Sequence, residues 1–338
     1  MPCGYFRLNR TANNVKYEPV VPRIPITVLD EGRLLDGGLD WGEVATLGEL
    51  STYPRTPVDE IVHRASGATI VLTNKTSLSA ETIAALPDLR FISVLATGYN
   101  NVDTRAARAR GIPVSNVPAY GTDSVAQHVF ALILELTNRV GLHSDAVRRG
   151  HWTASGEWCA PCAQVTELGH LQLGIIGRGR IAQRVAEIGR VFGLQVKLAS
   201  PSLPAGGGNL SPLDEVVADS DILTMHCQLT PQTAGMVNSA FLHRMKKGAF
   251  LINTARGALV NEADLATALN DGAIAGAAVD VLSSEPPPAD HPFCRLPNCI
   301  VTPHIAWMGA RARRRLIDIT AQNIRAFLAG KPTNVVNA

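Results

Sequence analysis

Hydrophobic and polar positions along the chain come in blocks rather than alternating singly. The first apolar runs are ITVLD (26–30), ATIVLT (68–73), RFISVLAT (90–97) and IPVSN (112–116). Between them VDEIVHRA (58–65), SAETIAAL (79–86) and VDTRAARARG (102–111) read as helices. Continuous apolar strands suit a sheet covered on both faces, and helices between them make that sheet parallel. A longer helix is expected from Thr122 to about Arg139, with Val125, Val129, Leu132, Ile133 and Leu136 on one face. A second strand series follows: LQLGII (171–176), QVKLAS (195–200), DILTMH (221–226), AFLIN (249–253), AIAGAAVDV (273–281) and NCIVTPH (298–304). Ser211 reads as a helix cap with Pro212 at the first helical position. Asn261 is expected to cap Glu262–Asp271, ended by Gly272. A last helix, Ala310 to Ala329, closes at Gly330 and Pro332. No strand follows it, so it is expected to pack back on the first unit. The pattern gives an α/β protein of two parallel-sheet domains that break near Val117–Gly121. Residues 1–23, with three Pro and little periodicity, read as a loose extension.

Composition narrows the class. A chain of 338 residues suits two domains at roughly 150 residues each. Hydrophobic residues at 46% against 18% charged exclude a disordered chain. A net charge of +2 leaves no broad electrostatic footprint for nucleic acid or an anionic membrane. The basic run Arg311, Arg313, Arg314 and Arg315 therefore reads as a solvated or interdomain face. No uncharged apolar run approaches the roughly 20 residues of a membrane span. The N-terminus lacks the apolar core of a secretory signal, so a cytoplasmic protein is expected.

Six Cys are too scattered for a disulfide scaffold. Trp158-Cys159-Ala160-Pro161-Cys162 has the spelling of a redox motif, which works where a strand meets a helix. Here it falls in a loop, so it reads as coincidence, with a regulatory dithiol or zinc as alternatives. No metal site is expected.

The sharpest motif is Leu173-Gly174-Ile175-Ile176-Gly177-Arg178-Gly179-Arg180-Ile181-Ala182. An apolar strand runs into G-x-G-x-x-A and then a helix, the fingerprint of a dinucleotide-binding turn. Gly177 permits the tight turn, Gly179 a close approach to pyrophosphate, and Ala182 close helix–strand packing. The helix start at Arg180 and Ile181 offers free N–H groups to phosphate. The next strand ends at Ser200, where an acid usually holds the adenosine ribose. With no carboxylate there, and Arg178 in the neighbouring turn, the reading leans to NADP(H) or to dual use with NAD(H).

Three later segments end where strand C-termini should cluster: INTARG (252–257), DVLSSEPP (280–287) and VTPHIAW (301–307). They bring Arg256, Glu285 and His304 towards one site. With ATGYN (96–100), NVPAYGTDSVAQ (116–127) and LINTARGALVNEADL (251–265), these motifs resemble the D-isomer-specific 2-hydroxyacid dehydrogenases. The resemblance spans about Ile26 to Asn337 and is strongest to the glycerate dehydrogenase/hydroxypyruvate reductase branch.

That resemblance implies a Rossmann-type dinucleotide-binding domain over 117–307. It implies a flavodoxin-like substrate domain from 1–116 and 308–338. It implies reduction of small 2-oxo acids, hydroxypyruvate and glyoxylate, to D-2-hydroxy acids by hydride from NAD(P)H. His304 would protonate the carbonyl oxygen, Glu285 would orient and charge the imidazole, and Arg256 would pair with the substrate carboxylate. The Gly98–Tyr99 backbone would complete the carboxylate cradle, and the loops around Tyr99 and Trp307 would set pocket size. Asp280 would face the nicotinamide, Thr254 and Ala255 the cofactor, and His226 stands at a cofactor-side strand end. The other histidines read as structural. A homodimer is implied, with the Thr122–Arg139 helix in its interface. Gln228, Gln127, Ala182 and Ser200 depart from the family pattern, the last two at the cofactor. The rival reading on the same fold is a nucleotide-sensing, corepressor-like interaction protein, against which stands the lack of a long disordered tail.

Overall fold

In the computed structural model, which describes residues 6–11, 14–19, 23–203 and 210–338, the chain forms two units. One comprises residues 1–120 with 310–338, and the other residues 121–309.

The first unit opens with strands β1 (Phe6–Thr11) and β2 (Asn14–Pro19), an antiparallel pair where the sequence suggests a loose extension. These segments carry no continuous apolar run, which is why the pattern misses them. A parallel sheet follows, built from β3 (Pro25–Val28), β4 (Glu49–Thr52), β5 (Ile70–Thr73), β6 (Phe91–Val94) and β7 (Val114–Ser115). Its order, β4-β3-β5-β6-β7, is the flavodoxin-like arrangement. Strand β4 was not expected. It is an edge strand, ELST, and its exposed side chains carry no apolar signal. Leu29, Ile61, Val71, Leu89, Ile92 and Val94 are among the buried core residues.

The last helix, Ala310–Leu328, packs back on this unit, with Phe327 stacked on Phe91 at 4.6 Å between ring centroids. Its basic run is not simply a solvated face. Arg313 is buried and donates to the carbonyl oxygens of Arg33, Leu34 and Asp36 at 3.2, 3.0 and 2.6 Å. Arg315 donates to Tyr120 and Arg314 to Asp40. Arg313 and Arg314 thus hold the 33–40 segment of their own unit.

The second unit holds a parallel sheet of β8 (Gln172–Ile176), β9 (Gln195–Ala199), β10 (Ile222–Met225), β11 (Phe250–Asn253), β12 (Gly276–Val279) and β13 (Cys299–Val301). The order is β13-β12-β11-β10-β8-β9, and Leu210 adds a one-residue parallel bridge beyond β9 at Leu198. With that bridge the topology is the doubly wound order of dinucleotide-binding folds, whose switch point lies between β8 and β10. Both faces are covered. Ile175, Ile222, Ile252 and Ala278 point into one core, and Ile176, Leu223, Met225, Leu251, Ala277 and Val279 into the other. Double burial is what makes these strands read as continuous apolar runs.

The helix Thr122–Asn138 buries Val125, Val129, Leu132, Ile133 and Leu136 as expected. Arg139, left-handed at φ 49°, ends it. A second helix, Val140–Arg148, follows that the pattern does not announce, because it buries only Ala146. Asn261 does cap Glu262–Asn270, accepting from the Asp264 N–H at 3.2 Å. Ser211 does not cap its helix. Its N–H donates to Leu198 at 2.8 Å, Pro212 is extended, and the helix starts at Leu213. Cys159 and Cys162 are exposed in an irregular stretch after the short helix His151–Ser155. No helix among the described residues is long and apolar enough to cross a membrane.

Candidate active site

The fingerprint turn follows β8 at the switch point. Gly177 has φ 137°, and a Cβ there would lie 2.5 Å from the His226 carbonyl oxygen, so only glycine fits. Its N–H bonds to Ala199 at 2.8 Å, while the His226 N–H bonds to Ile176 at 2.7 Å. The turn is thus stitched to β9 and β10. Gly179 differs: a Cβ there would meet nothing within 4 Å. The chain itself gives no steric reason for that glycine, whereas a closely approaching ligand does.

The helix Arg180–Val191 begins at once, with no side-chain cap on its N-terminus. Its first N–H groups, at Arg180 and Ile181, and its positive dipole end suit a pyrophosphate. Ala182 is fully buried against the sheet. Thr254, just past β11, has a buried hydroxyl without a hydrogen-bond partner among the described residues, another sign of a group to be met there. These features fit a dinucleotide.

Ser200 follows β9 directly, its hydroxyl 3.2 Å from that of Ser202. Arg178 is exposed in the turn. Burial pushes the His226 imidazole down to about 3, so the ring is neutral, and its Nε2 lies 2.9 Å from the Thr224 hydroxyl.

The segments after β11, β12 and β13 carry Arg256, Glu285 and His304. Buried Asn253 shapes the first loop. It accepts from the Ala255 N–H at 3.0 Å and donates to the Arg256 carbonyl at 2.9 Å. The Arg256 guanidinium is exposed, with one nitrogen 2.6 Å from the Ala255 carbonyl. Gly257 lets this loop lie against the next, because a Cβ would overlap the Leu282 carbonyl.

His304 Nδ1 sits 2.6 Å from Glu285 Oε2. Glu285 Oε1 accepts from the Leu282 N–H at 3.0 Å. Side-chain exposures of 27% for His304 and 33% for Glu285 leave the pair accessible to a small molecule. His304 adopts φ 54°, a left-handed conformation that a side chain takes only when its surroundings hold it there.

Asp280 does the holding. It is buried at the end of β12, and Oδ1 accepts from the Thr302 hydroxyl at 2.6 Å and the Ile305 N–H at 2.9 Å. Oδ2 accepts from the Ala306 N–H at 2.9 Å. His128 Nε2, from the helix Thr122–Asn138, lies 3.0 Å from the Thr302 hydroxyl and 3.5 Å from Asp280. Burial works against the Asp280 charge, but hydrogen bonds from His128, Thr302, Ala306 and Ile305 together hold its carboxyl below the ordinary value. Its carboxylate is therefore turned largely to the His304 loop. Ser124 adds a bond to the Ala306 carbonyl at 2.7 Å, beside half-buried Trp307.

His128 is a site residue that the sequence reading passes over as structural. Asn253, Ser124 and Thr302 likewise carry no sequence signal of their own. Gly98 and Tyr99 lie on the other unit, after β6, where the Tyr99 carbonyl accepts from the Val102 N–H at 3.1 Å and its side chain is exposed.

Residues 130–306 match the family model described as D-isomer specific 2-hydroxyacid dehydrogenase, NAD binding domain. The chain is 42% identical over 319 residues to a hydroxypyruvate reductase of Blautia hydrogenotrophica, covering 92% of this chain and 99% of that protein. It is 42% identical over 282 residues to a glycerate dehydrogenase of Methylorubrum extorquens, covering 83% and 89%. Among solved structures, an NADPH-dependent glyoxylate/hydroxypyruvate reductase from Sinorhizobium meliloti, in complex with NADP and malonate, matches with a TM-score of 0.79. Identity is 26%, over 93% of this chain and 97% of that one.

Proposed function

The chain belongs to the D-isomer-specific 2-hydroxyacid dehydrogenases, and from that premise we propose that it reduces hydroxypyruvate and glyoxylate to the D-2-hydroxy acids with NAD(P)H. The observation that carries the proposal is the 2.6 Å contact between Glu285 and His304 Nδ1. It leaves His304 Nε2 without a protein partner among the described residues. A bound reduced nicotinamide would supply the hydride for the carbonyl carbon. As charge grows on the carbonyl oxygen, His304 Nε2 gives it a proton, and Glu285 steadies the imidazolium from behind. Arg256 pairs with the substrate carboxylate and polarises the carbonyl. Trp307, on the same unit, adds a substrate contact in this reading.

The unit of residues 121–309 acts as the cofactor domain. Gly177, Arg178, Gly179, Arg180 and Ile181 hold the phosphates, and Ser200 the adenosine ribose. His226, Thr254, Ala255 and Asp280 meet the rest of the cofactor. With no acid after β9, NADP(H) is accepted, alone or beside NAD(H). A homodimer is part of the same reading. The helix Thr122–Asn138 spends its apolar face on its own sheet. The segment after it exposes Val140, Leu142, Val147, Trp152, Val165 and, at 88%, Trp158. We therefore place the dimer surface mainly there.

A panel of hydroxypyruvate, glyoxylate, pyruvate and phenylpyruvate with both reduced cofactors tests the proposal. Turnover of the first two supports it. Nucleotide binding with negligible turnover of all four would favour a nucleotide sensor instead.

A further inference from the structure

A second carboxylate–histidine pair stands behind the first. Glu262 opens the helix Glu262–Asn270, where the positive end of the helix dipole favours its charge. Its Oε1 accepts from the Ser283 N–H at 2.8 Å. Its Oε2 accepts from the Ser283 hydroxyl at 2.8 Å and from His291 Nε2 at 3.2 Å. His291 is only 6% exposed, and its Nδ1 accepts from the Phe293 N–H at 3.3 Å. With Nδ1 turned to the Phe293 N–H, Nε2 is the nitrogen that donates to Glu262.

The two pairs meet in one loop. The Leu282 N–H goes to Glu285, and the next N–H along the chain, that of Ser283, goes to Glu262. Consecutive backbone groups are gripped by two different carboxylates. We propose that Glu262, held by His291, is a positioning residue for Glu285: it anchors Ser283 and so fixes the carboxylate that orients His304. The proposal rests on reading Glu285 and His304 as the proton-handling pair.

Burial disfavours the Glu262 charge, yet the bonds from Ser283 and His291 outweigh it and hold the carboxyl below the ordinary value. Glu262 thus stays charged at neutral pH. Asp264, on the same helix, is turned to the Ser239 N–H at 2.8 Å and does not replace it. His304 has Glu285 on its Nδ1, with Asp280 and His128 beneath its loop.

The test follows His304 by proton NMR titration in ligand-free protein, with the resonance assigned from His304→Gln, so no turnover is needed. Glu262→Gln keeps the shape, removes the charge and sets an amide against the His291 proton. The His304 midpoint should fall by about half a pH unit, and Glu285→Gln should lower it further. The double variant should fall no further than Glu285→Gln alone, because Glu262 acts through Glu285. Ser283→Ala removes one anchoring bond without touching a charge. It should give a smaller fall of the same sign, and it serves if Glu262→Gln does not fold.

In turnover, Glu262→Gln should lower kcat roughly 3- to 10-fold at neutral pH and less in acid, with KM nearly unchanged. An unmoved midpoint in both single variants, or shifts that add in the double variant, overturns the proposal. The expected NMR shifts in a protein that turns over no 2-oxo acid would uphold the coupling and reject the proposed reaction instead.

Discussion

In the proposed reaction, His304 and Glu285 divide the work of one proton. Reduction needs the imidazolium, so activity should fall as pH rises through the titration of the enzyme–cofactor complex. Glu285→Gln nearly preserves the 2.6 Å geometry while deleting the charge that favours the imidazolium. Its reductive pH profile should move to lower pH, with a smaller loss in acid than at neutrality. His304→Ala should cost on the order of 10²–10⁴-fold in turnover. Because residue 304 is left-handed, His304→Asn is the better-folded companion, since Asn tolerates that conformation. A profile unmoved in Glu285→Gln, with high activity in both His304 variants, would assign the proton to another residue. At the adenosine end, Ser200→Asp should shift preference towards NADH, because a carboxylate accepts from ribose hydroxyls and repels a 2′-phosphate. The NADPH/NADH ratio of kcat/KM should fall about 10- to 100-fold. An unchanged ratio would remove Ser200 from the ribose.

At the scale of elements, the loop after β13 is held by the end of β12. Asp280 is buried and its carboxyl is held below the ordinary value of 3.8. A depressed folded value means that its contribution to stability is present above the ordinary value and lost as pH falls through the lower folded one. Asp280→Asn should therefore destabilise the protein by about 2–3 kcal/mol near neutrality. The difference from wild type should shrink below about pH 4 in denaturant titrations. A difference that stays constant from pH 7 to pH 3 would contradict an ionised anchor.

Much of this was legible beforehand. Strands β8, β10, β11 and β12 lie between two apolar cores, so their sequences are largely apolar, and Arg256, Glu285 and His304 sit in short motifs at the strand ends of this sheet. What was not legible lacks such a pattern. The edge strand β4 is polar, and the helix Val140–Arg148 buries a single residue. His128 meets Thr302 from 174 positions away, a pairing that no local periodicity encodes. Ser211 lost its capping role to a strand-like bond with Leu198, a tertiary contact overriding a local preference.

The whole molecule joins a flavodoxin-like sheet to a dinucleotide-binding sheet, with the chain returning to the first unit through its last helix. Exposed apolar side chains concentrate in residues 140–165, which predicts self-association through that segment. Light scattering should give the mass of a dimer, and Trp158→Ser combined with Val140→Ser should lower it towards 36.0 kDa. A wild-type monomer would reject that surface. The central claim is stereospecific hydride transfer to a 2-oxo acid, and chirality of the product tests it most directly. Hydroxypyruvate and reduced cofactor should yield D-glycerate from the wild-type protein, with the yield collapsing in His304→Ala. L-glycerate as the product, or no glycerate from a protein that binds the nucleotide, would contradict it.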